Sequence, residues 1–488
     1  MAFNSSTTKV AKKRLVKLVE AKVNGKLSVD DKSELERVLD GVGNACVVST
    51  DKIGEVYQIM GNVSVSALAL TKEKRVVSLN GILDFNERVT AGDADGVFCV
   101  PTIKDIKLIK ESDRVVVVTI VVGLALYGVV YEEVLYLSGE EADYYVTHNT
   151  TKLTKLMASG SSNFSVSEPI KNQNAIIANY GKVQINKVTP FENYCLIEGT
   201  ANINLFVEDG DQLKKQQHSI DFSQEVPLLN VISEAIVSAD AYIKSVNITG
   251  DEEKVIDANI DVMVWGFSNY DQDFILDIFS DKKEVNKTTV SLDYEKINPM
   301  KLFSDRKTID FDCVNKKRMD EVLAITKLVA KPDQVNIVSN VANITGAIEA
   351  TVIYKNYDND EMNTTTLSNG FELSVPVDQE SEDDQVDLKI DVYEVVAKNK
   401  AGKELSLVVD FEVVSIVSNC GTTQYVSKIE NGEDYSKNRS SIIVYKPNGT
   451  ETVFNIAKKL QISPDVLRAQ NPNIEDGYNG QVVVFRKV

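Results

Sequence analysis

The side chains best suited to acid–base chemistry in this chain are two histidines, His148 and His218, and both lie in polar stretches. A nucleophilic triad needs a Ser, a His and an acid held together, and no such set can be assembled from the sequence. A phosphate-cradling loop of the type G-x-x-x-x-G-K-[ST] is also missing. Gly41-Val42-Gly43 lacks the rest of a dinucleotide fingerprint. We therefore predict a protein that is not an enzyme and that carries no cofactor.

Cysteine thiols and the single tryptophan are the next candidates for chemistry. The five cysteines are scattered, and no two have the spacing of metal ligands, so we expect free thiols in a reducing compartment. They are Cys46, Cys99, Cys195, Cys313 and Cys420. Trp265 lies in an alternating apolar stretch and is either a core residue or a ligand platform. The alternation favours the core, where aromatic side chains usually lie.

The net charge of the chain makes some classes of binding partner less expected than others. The chain has 488 residues, a net charge of −19 and 43% hydrophobic residues. That length allows several domains with separate cores. Phosphate binding needs clustered Lys and Arg, so nucleic acid is not an expected partner. The first 26 residues are the exception, with seven basic side chains against Glu20.

The basic N-terminus, residues 1–32, is predicted to form a helix. Val10, Leu15, Leu18 and Val19 would lie on one face of it. Such a helix either contacts an anionic membrane surface or an acidic partner, or is simply solvated. Charged residues interrupt it, so it is not a secretory signal, and we expect a cytoplasmic protein.

One apolar run could suggest a membrane. Val115 to Tyr131 is uncharged over 17 residues, whereas a spanning helix needs about 20. The run is rich in β-branched residues. It therefore favours a buried β-hairpin over a transmembrane helix.

A pattern that occurs three times predicts the main architecture. A Gly opens an alternating apolar run, and a Phe follows 24, 23 or 25 residues later: Gly61 and Phe85, Gly199 and Phe222, Gly346 and Phe371. Alternation places successive side chains on opposite faces of a strand. We predict a mainly β protein with three homologous domains in tandem, at residues 33–148, 175–298 and 318–418. The polar segments 149–174 and 419–440 are predicted to be linkers.

A short apolar pair precedes each repeated Gly by 23 to 24 residues. The pairs are Val38-Leu39, Ile176-Ile177 and Val322-Leu323. In the first and third copies we predict that the pair ends a short helix.

The last 48 residues, 441–488, predict a small βααβ domain. Val453, Ile456, Ala457 and Leu460 fall on one helical face, with Thr450 or Thr452 as the cap. Ser463-Pro464-Asp465 is typical of a second helix start. Strands are expected at Ile442–Tyr445 and Val482–Phe485. Phe454, Leu460 and Leu467 are predicted to support the core of this domain.

The phrase VFNIAKKLQISPDVLRAQNP and the Gly480-Gln481 turn resemble a LysM domain. The resemblance implies binding of polymers that contain N-acetylglucosamine, in a groove between the loop before the first helix and the loop after the second. This chain has Thr450-Glu451-Thr452-Val453 where the family usually has Gly-Asp-Thr-Leu, and contact with a protein is the alternative use. The groove residues implied by the match are Thr450, Glu451, Thr452, Val453, Asn471, Pro472, Asn473 and Ile474.

The repeats resemble SPOCS domains of sporulation proteins, through ERVLD at Glu36 to Asp40 and the Gly and Phe phrases. Three SPOCS-like units followed by a LysM are similar to the spore-coat morphogenetic proteins of clostridial type. That similarity implies a non-enzymatic adaptor in the mother-cell cytoplasm, at the forespore surface. Its implied partner is the ATP-hydrolysing coat scaffold, stage IV sporulation protein A. The alternative is a peptidoglycan-binding protein that uses the LysM on glycan, with the β domains as spacers.

Overall fold

The fold is almost entirely β, as predicted. The structure is a computed structural model that describes residues 3–29, 33–90, 94–171, 174–209, 212–250, 253–312, 319–357, 361–379, 381–400, 404–435 and 441–486. In these residues it contains 21 strands and two short helices. Among them, no helix is long and apolar enough to cross a membrane.

The first unit consists of two three-stranded antiparallel sheets packed on a shared core. One sheet has the order β2-β3-β4 and the other β1-β6-β5. Alternate apolar side chains of both sheets, such as Val65 and Ile120, form the core between them. The strands are β1 (Asn4–Ser28), β2 (Leu35–Ile53), β3 (Val56–Thr71), β4 (Val76–Thr90), β5 (Ala94–Lys110) and β6 (Val115–Ser138).

The second unit repeats this strand order. Its sheets are β8-β9-β10 and β7-β12-β11. The first strand of the unit again pairs with the last one along most of its length. The strands are β7 (Tyr144–Ile170), β8 (Ala175–Phe191), β9 (Tyr194–Asp209), β10 (Gln212–Pro227), β11 (Ile236–Thr249) and β12 (Lys254–Ser280).

The third unit has the same plan with its first strand divided in two. Its sheets are β15-β16-β17 and one in which β13, β14 and β18 all pair with the long β19. The strands are β13 (Lys283–Ile297), β14 (Lys301–Asp312), β15 (Glu321–Val338), β16 (Val341–Asn356), β17 (Glu361–Pro376), β18 (Gln385–Lys400) and β19 (Glu404–Asp434).

The apolar pairs upstream of each Gly lie at a β-bulge, and the short helices predicted there are wrong. The bulged residue is Leu39 in β2, Ile177 in β8 and Leu323 in β15, between register partners on either side. Each bulge lies opposite the seventh and eighth residues after the repeated Gly. Pairing with the neighbouring strand over the full length outweighs the local helical pattern.

The bulged residues bring the three units together. A bulge bends its strand and redirects a side chain, and here Leu39, Ile177 and Leu323 enter one common cluster. Each unit also contributes the residue seven positions after its Gly, namely Leu68, Phe206 or Ile353. The buried members of the cluster are Leu39, Val42, Leu68, Leu70, Val76, Ala178, Phe206, Leu213, Leu323, Ala324, Ile353 and Met362, with Ile177 and Tyr180 partly buried beside them.

Every pair of units is also joined by polar contacts, so the three units form a closed ring. The Gly181 amide of the second unit donates to Asn44 Oδ1 of the first at 3.0 Å. Lys215 of the second unit pairs with Glu394 of the third at 2.6 Å. The Thr326 hydroxyl of the third unit donates to the Asp40 carboxylate of the first. Burial raises the pKa of Asp40, although the Thr326 hydrogen bond acts against this.

The two segments predicted to be linkers, 149–174 and 419–440, are mainly strand in their described residues, so those predictions are wrong there, and residues 172–173 and 436–440 lie outside the described part of the chain. Residues 149–170 belong to β7 and residues 419–434 to β19. Both pair along their length, with β12 and β13 respectively. Ser, Thr and Gly suit these positions because alternate side chains face solvent. These two strands also contribute to a second apolar cluster, which contains two residues from each unit. Its buried members are Val10, Val134, Leu153, Phe274, Leu292 and Tyr425.

The predicted N-terminal helix is also wrong, because residues 4–28 form β1. Ala21, Val23 and Leu27 are buried, which is a period of two, whereas Leu18 is 76% exposed. The predicted peripheral membrane contact was based on a basic helix, and residues 4–28 do not form that helix.

The apolar run Val115 to Tyr131 lies in β6, the central strand of its sheet. It is a single buried strand, so the predicted hairpin is wrong although its β character is right. Its residues from Val115 to Tyr131 are buried or partly buried, so both faces of the strand are covered at least in part, which accounts for the continuous apolar run.

The chain ends in a βααβ module, in the predicted order. Its elements are β20 (Ile442–Tyr445), α1 (Val453–Leu460), α2 (Pro464–Gln470) and β21 (Val482–Phe485). The two strands pair antiparallel.

Candidate functional site

The C-terminal module is the candidate site, and local sequence explains its two helices. The Thr452 hydroxyl caps α1 by accepting a hydrogen bond from the Asn455 amide at 3.1 Å. Ser463 caps α2 by accepting from the Val466 amide at 3.0 Å, and Pro464 occupies the first turn. Leu460 and Leu467 are buried in the module core, which confirms their predicted role.

The two loops predicted to form a groove lie side by side. The Gly477 amide donates to the Glu451 carbonyl at 3.0 Å. The Val453 amide donates to the Asp476 carboxylate at 2.7 Å. The loop before α1 and the loop after α2 are thus joined at two points, which holds the surface between them in one shape.

In the loop before α1, the Glu451 side chain stabilises the module through several hydrogen bonds. It is 6% exposed, and its carboxylate accepts from the Tyr445 hydroxyl at 2.7 Å and from the Asn448 amide at 3.2 Å. The Lys459 ammonium also donates to it. The hydrogen bonds from Lys459 and Tyr445 lower the pKa of Glu451, so it stays ionised.

Asn471 also stabilises the module. Its side-chain oxygen accepts from the Val483 amide at 3.0 Å, and its side-chain nitrogen donates to the Val483 carbonyl at 2.9 Å. This amide pairs with β21 as a further strand residue would, and it fixes the end of α2.

The eight predicted site residues therefore divide by exposure. Val453 and Ile474 are buried, as is Glu451. The Asn471 side chain is hydrogen-bonded to the backbone of Val483. Thr450, Pro472 and Asn473 are exposed, and Thr452 is half-buried. These last four residues, from both loops, form the accessible part of the predicted groove.

The module is docked against the end of the second unit, through contacts that sequence reasoning missed. The Phe454 ring meets the Phe279 ring edge to face, with 5.0 Å between centroids. Lys458 Nζ lies 2.7 Å from both oxygens of Asp277. Phe454 is half-buried and packs against the module core, as predicted, but it also joins that core to Phe279 of the second unit. The signal was its position outside the apolar face of α1, since such a residue must pack against something else.

Asp277 holds a charge at this contact. Burial opposes its ionisation, but ion pairs with Lys287 and Lys458, each at 2.7 Å, lower its pKa. Asp277 therefore links β13 of the third unit and α1 of the module to β12 of the second unit.

The other sequence candidates lie apart from this site. His148 is on β7 and His218 on β10, where its Nδ1 lies 3.4 Å from Glu168. Trp265 is 2% exposed and donates to the Gly96 carbonyl at 2.7 Å, which confirms the core alternative.

The described cysteines are free, and Cys313 lies outside the described residues. Burial raises the pKa of Cys99 to about 12 and that of Cys195 to about 11, so both stay as thiols. Within the described ranges, no group of three or more His, Cys, Asp or Glu could hold a metal ion.

Comparison with protein families finds a match within the second unit. Residues 174–250 match the family described as SipL, SPOCS domain. The matched range covers β8 to β11, the four strands whose order recurs in all three units. This match supports a SPOCS-domain protein related to sporulation. No curated protein and no solved structure matches the chain.

Proposed function

We propose that this chain is a non-enzymatic adaptor that helps to assemble the spore coat around the forespore. The single observation that carries the proposal is the SPOCS match at residues 174–250, within a strand order that recurs three times. In this proposal the chain works in the mother-cell cytoplasm. Its partner is the ATP-hydrolysing coat scaffold of the stage IV sporulation protein A type.

The C-terminal module is the proposed contact with the scaffold. Thr450, Thr452, Pro472 and Asn473 are at least partly exposed, while the module is held to the second unit by Phe279 and Asp277. A docked module presents one fixed surface, so less ordering entropy is lost on binding.

A second candidate function uses the same surface. The βααβ order and the two joined loops also favour binding of peptidoglycan, as the LysM resemblance implies. Under that alternative the three β units are spacers.

One comparison separates the two functions. Full-length chain, an Asn473→Arg variant and an Asp465→Arg control would be tested against purified scaffold and against purified peptidoglycan. Asp465 is 92% exposed at the side chain and lies in α2, outside the two loops. We expect scaffold binding that Asn473→Arg weakens at least tenfold and Asp465→Arg leaves within twofold. Binding to peptidoglycan alone, lost in Asn473→Arg, would instead establish the second function.

A further inference from the structure

The tip of the second unit is a rigid surface formed by two segments. They are the turn between β8 and β9 and the loop after β10. The Asn193 amide donates to the Val231 carbonyl, and the Leu228 amide donates to the Asn193 carbonyl, both at 2.9 Å. The Asn230 amide donates to Asn193 Oδ1 at 3.0 Å. Three hydrogen bonds on one residue thus fix the loop against the turn.

This tip carries four large apolar side chains, of which three are exposed and Tyr194 is half-buried. Phe191 and Tyr194 stack across the turn, with ring centroids 4.9 Å apart and planes within 9°. Leu229 is 72% exposed and Ile232 is 47% exposed, in the loop that is bonded to that turn. We call Phe191, Tyr194, Leu229 and Ile232 the tip surface. A cluster of exposed apolar side chains on a rigid base is typical of a protein-binding surface.

The charges beside the tip surface are acidic. Glu192, Glu225 and Glu234 are all exposed, and they lie in the same turn and loop or next to them. The exposed side chains of residues 191–194 and 225–234 include no Lys or Arg. A complementary partner segment is therefore basic as well as apolar.

The corresponding tip of the third unit exposes Val338 in its turn but has no leucine in its loop. There the Val377 amide donates to the Asn340 carbonyl at 2.9 Å, which is the same hydrogen bond as that between Leu228 and Asn193. The next residue is Asp378 instead of Leu229, and it pairs with Lys301 at 2.7 Å. The backbone is reproduced, but a polar ion pair replaces the exposed leucine.

We propose that the tip surface of the second unit docks a basic, apolar segment of a partner protein. A second copy of this chain is a poor occupant, because self-pairing would bring Glu192, Glu225 and Glu234 against their own copies. The net charge of −19 adds to that repulsion.

This site is separate from the module surface of the proposed function. A Cβ added to Gly266 of β12 would lie 2.8 Å from Val231 in the tip loop. The module docks at Asp277 of the same strand. Eleven positions separate 266 from 277, which is about 36 Å at 3.3 Å per residue.

The test uses a fluorescein-labelled 12-residue peptide of alternating Leu and Lys, and a matched peptide of alternating Leu and Glu. Anisotropy at 150 mM salt would be measured with full-length wild type, Leu229→Asp and Ile82→Asp. Ile82 is 70% exposed on β4 of the first unit, so it receives the same change of charge elsewhere. We expect Leu229→Asp to weaken binding of the Lys peptide at least tenfold and Ile82→Asp to leave it within twofold.

Leu229→Asp makes the chain more acidic, so binding by charge alone would become tighter, not weaker. The proposal is overturned if Leu229→Asp binds the Lys peptide as well as wild type. It is also overturned if the Glu peptide binds equally well, or if wild type binds neither peptide. A concentration-dependent dimer in sedimentation velocity, lost in Leu229→Asp, would identify a second copy as the occupant and would equally reject it. Unchanged thermal unfolding of both variants is the control for folding.

Discussion

Gly199 of β9 lies directly opposite Phe222 of β10, and the Phe222 ring covers the glycine. A Cβ at Gly199 would be 2.5 Å from the Cζ of that ring and 2.5 Å from the Gln184 carbonyl of β8. Gly61 and Phe85 are paired in the same way, with the Phe85 ring close to the glycine. Gly346 also lies opposite Phe371, but the atoms nearest to an added Cβ there belong to Lys331 and Pro332 of β15. The repeated sequence pattern is therefore a cross-strand pair in which the missing side chain makes room for a neighbour.

Gly199→Ala should destabilise the protein by about 1–3 kcal/mol, the usual cost of an extra methyl group in a filled site. Gly370→Ala is the matched control, because its added Cβ would have its nearest neighbour at 3.9 Å. Urea unfolding of both variants measures the difference. Equal stability of the two variants would contradict the close contact.

Phe454→Ala and Phe279→Ala should be coupled in a double-mutant cycle on the full chain. An edge-to-face aromatic pair contributes about 0.5–1.5 kcal/mol beyond the area it buries, so the double variant should lose less than the sum of the single ones. Thermal unfolding followed by calorimetry gives the four values. Strict additivity would show that the two rings act independently.

Lys215→Ala should destabilise the ring of units by about 3–5 kcal/mol, because it leaves the Glu394 charge buried without its partner. The two side chains are only 8% and 13% exposed. The double variant Lys215→Met with Glu394→Leu should recover most of that loss, since an apolar pair can replace a buried ion pair. Urea unfolding decides this, and a double variant as unstable as Lys215→Ala would show that other partners of Lys215, such as the Tyr180 hydroxyl, account for the loss.

Asp277→Asn should make docking of the module insensitive to acid. The pKa of Asp277 is lowered in the folded chain, so its stabilising effect is complete above the ordinary value of 3.8 and is lost as the pH falls through the lowered value. The difference in melting temperature between wild type and Asp277→Asn should be constant from about pH 5 to 8 and shrink below about pH 4. A difference that persists unchanged at pH 3 would assign the effect to packing.

Sequence pattern predicted the inner strands well and the outer ones poorly. Alternation and the Gly-to-Phe spacing predicted β3 and β4 and the equivalent strands of the other units. A strand that is buried on one face has an apolar residue at every second position, and this period can be recognised in the sequence. The residues of β7 after Ser159 are mostly Ser, Gly and Asn, and their partner strand β12 supplies most of the apolar side chains. A pattern that depends on a partner strand 84 to 104 residues away leaves little local signal.

The candidate site shows the same limit. The helix caps Thr452 and Ser463 could be predicted because they bond to residues three positions away. The contact between Phe454 and Phe279 could not be predicted, because the two residues are far apart in the sequence and no local pattern relates them. Local pattern alone predicts the end of a helix at Leu39, whereas the bulged Leu39 packs against residues of the two other units.

The closed ring of three units fixes a stoichiometry. Three separate copies of a unit would carry three identical tips and three C-terminal modules. Here the units share one polypeptide, so one ring carries one module and one leucine-bearing tip, both on the second unit. The surface of each unit can then change in evolution without a change in the other two units. Such an arrangement permits one molecule to bind different partners, each in a fixed ratio to the chain.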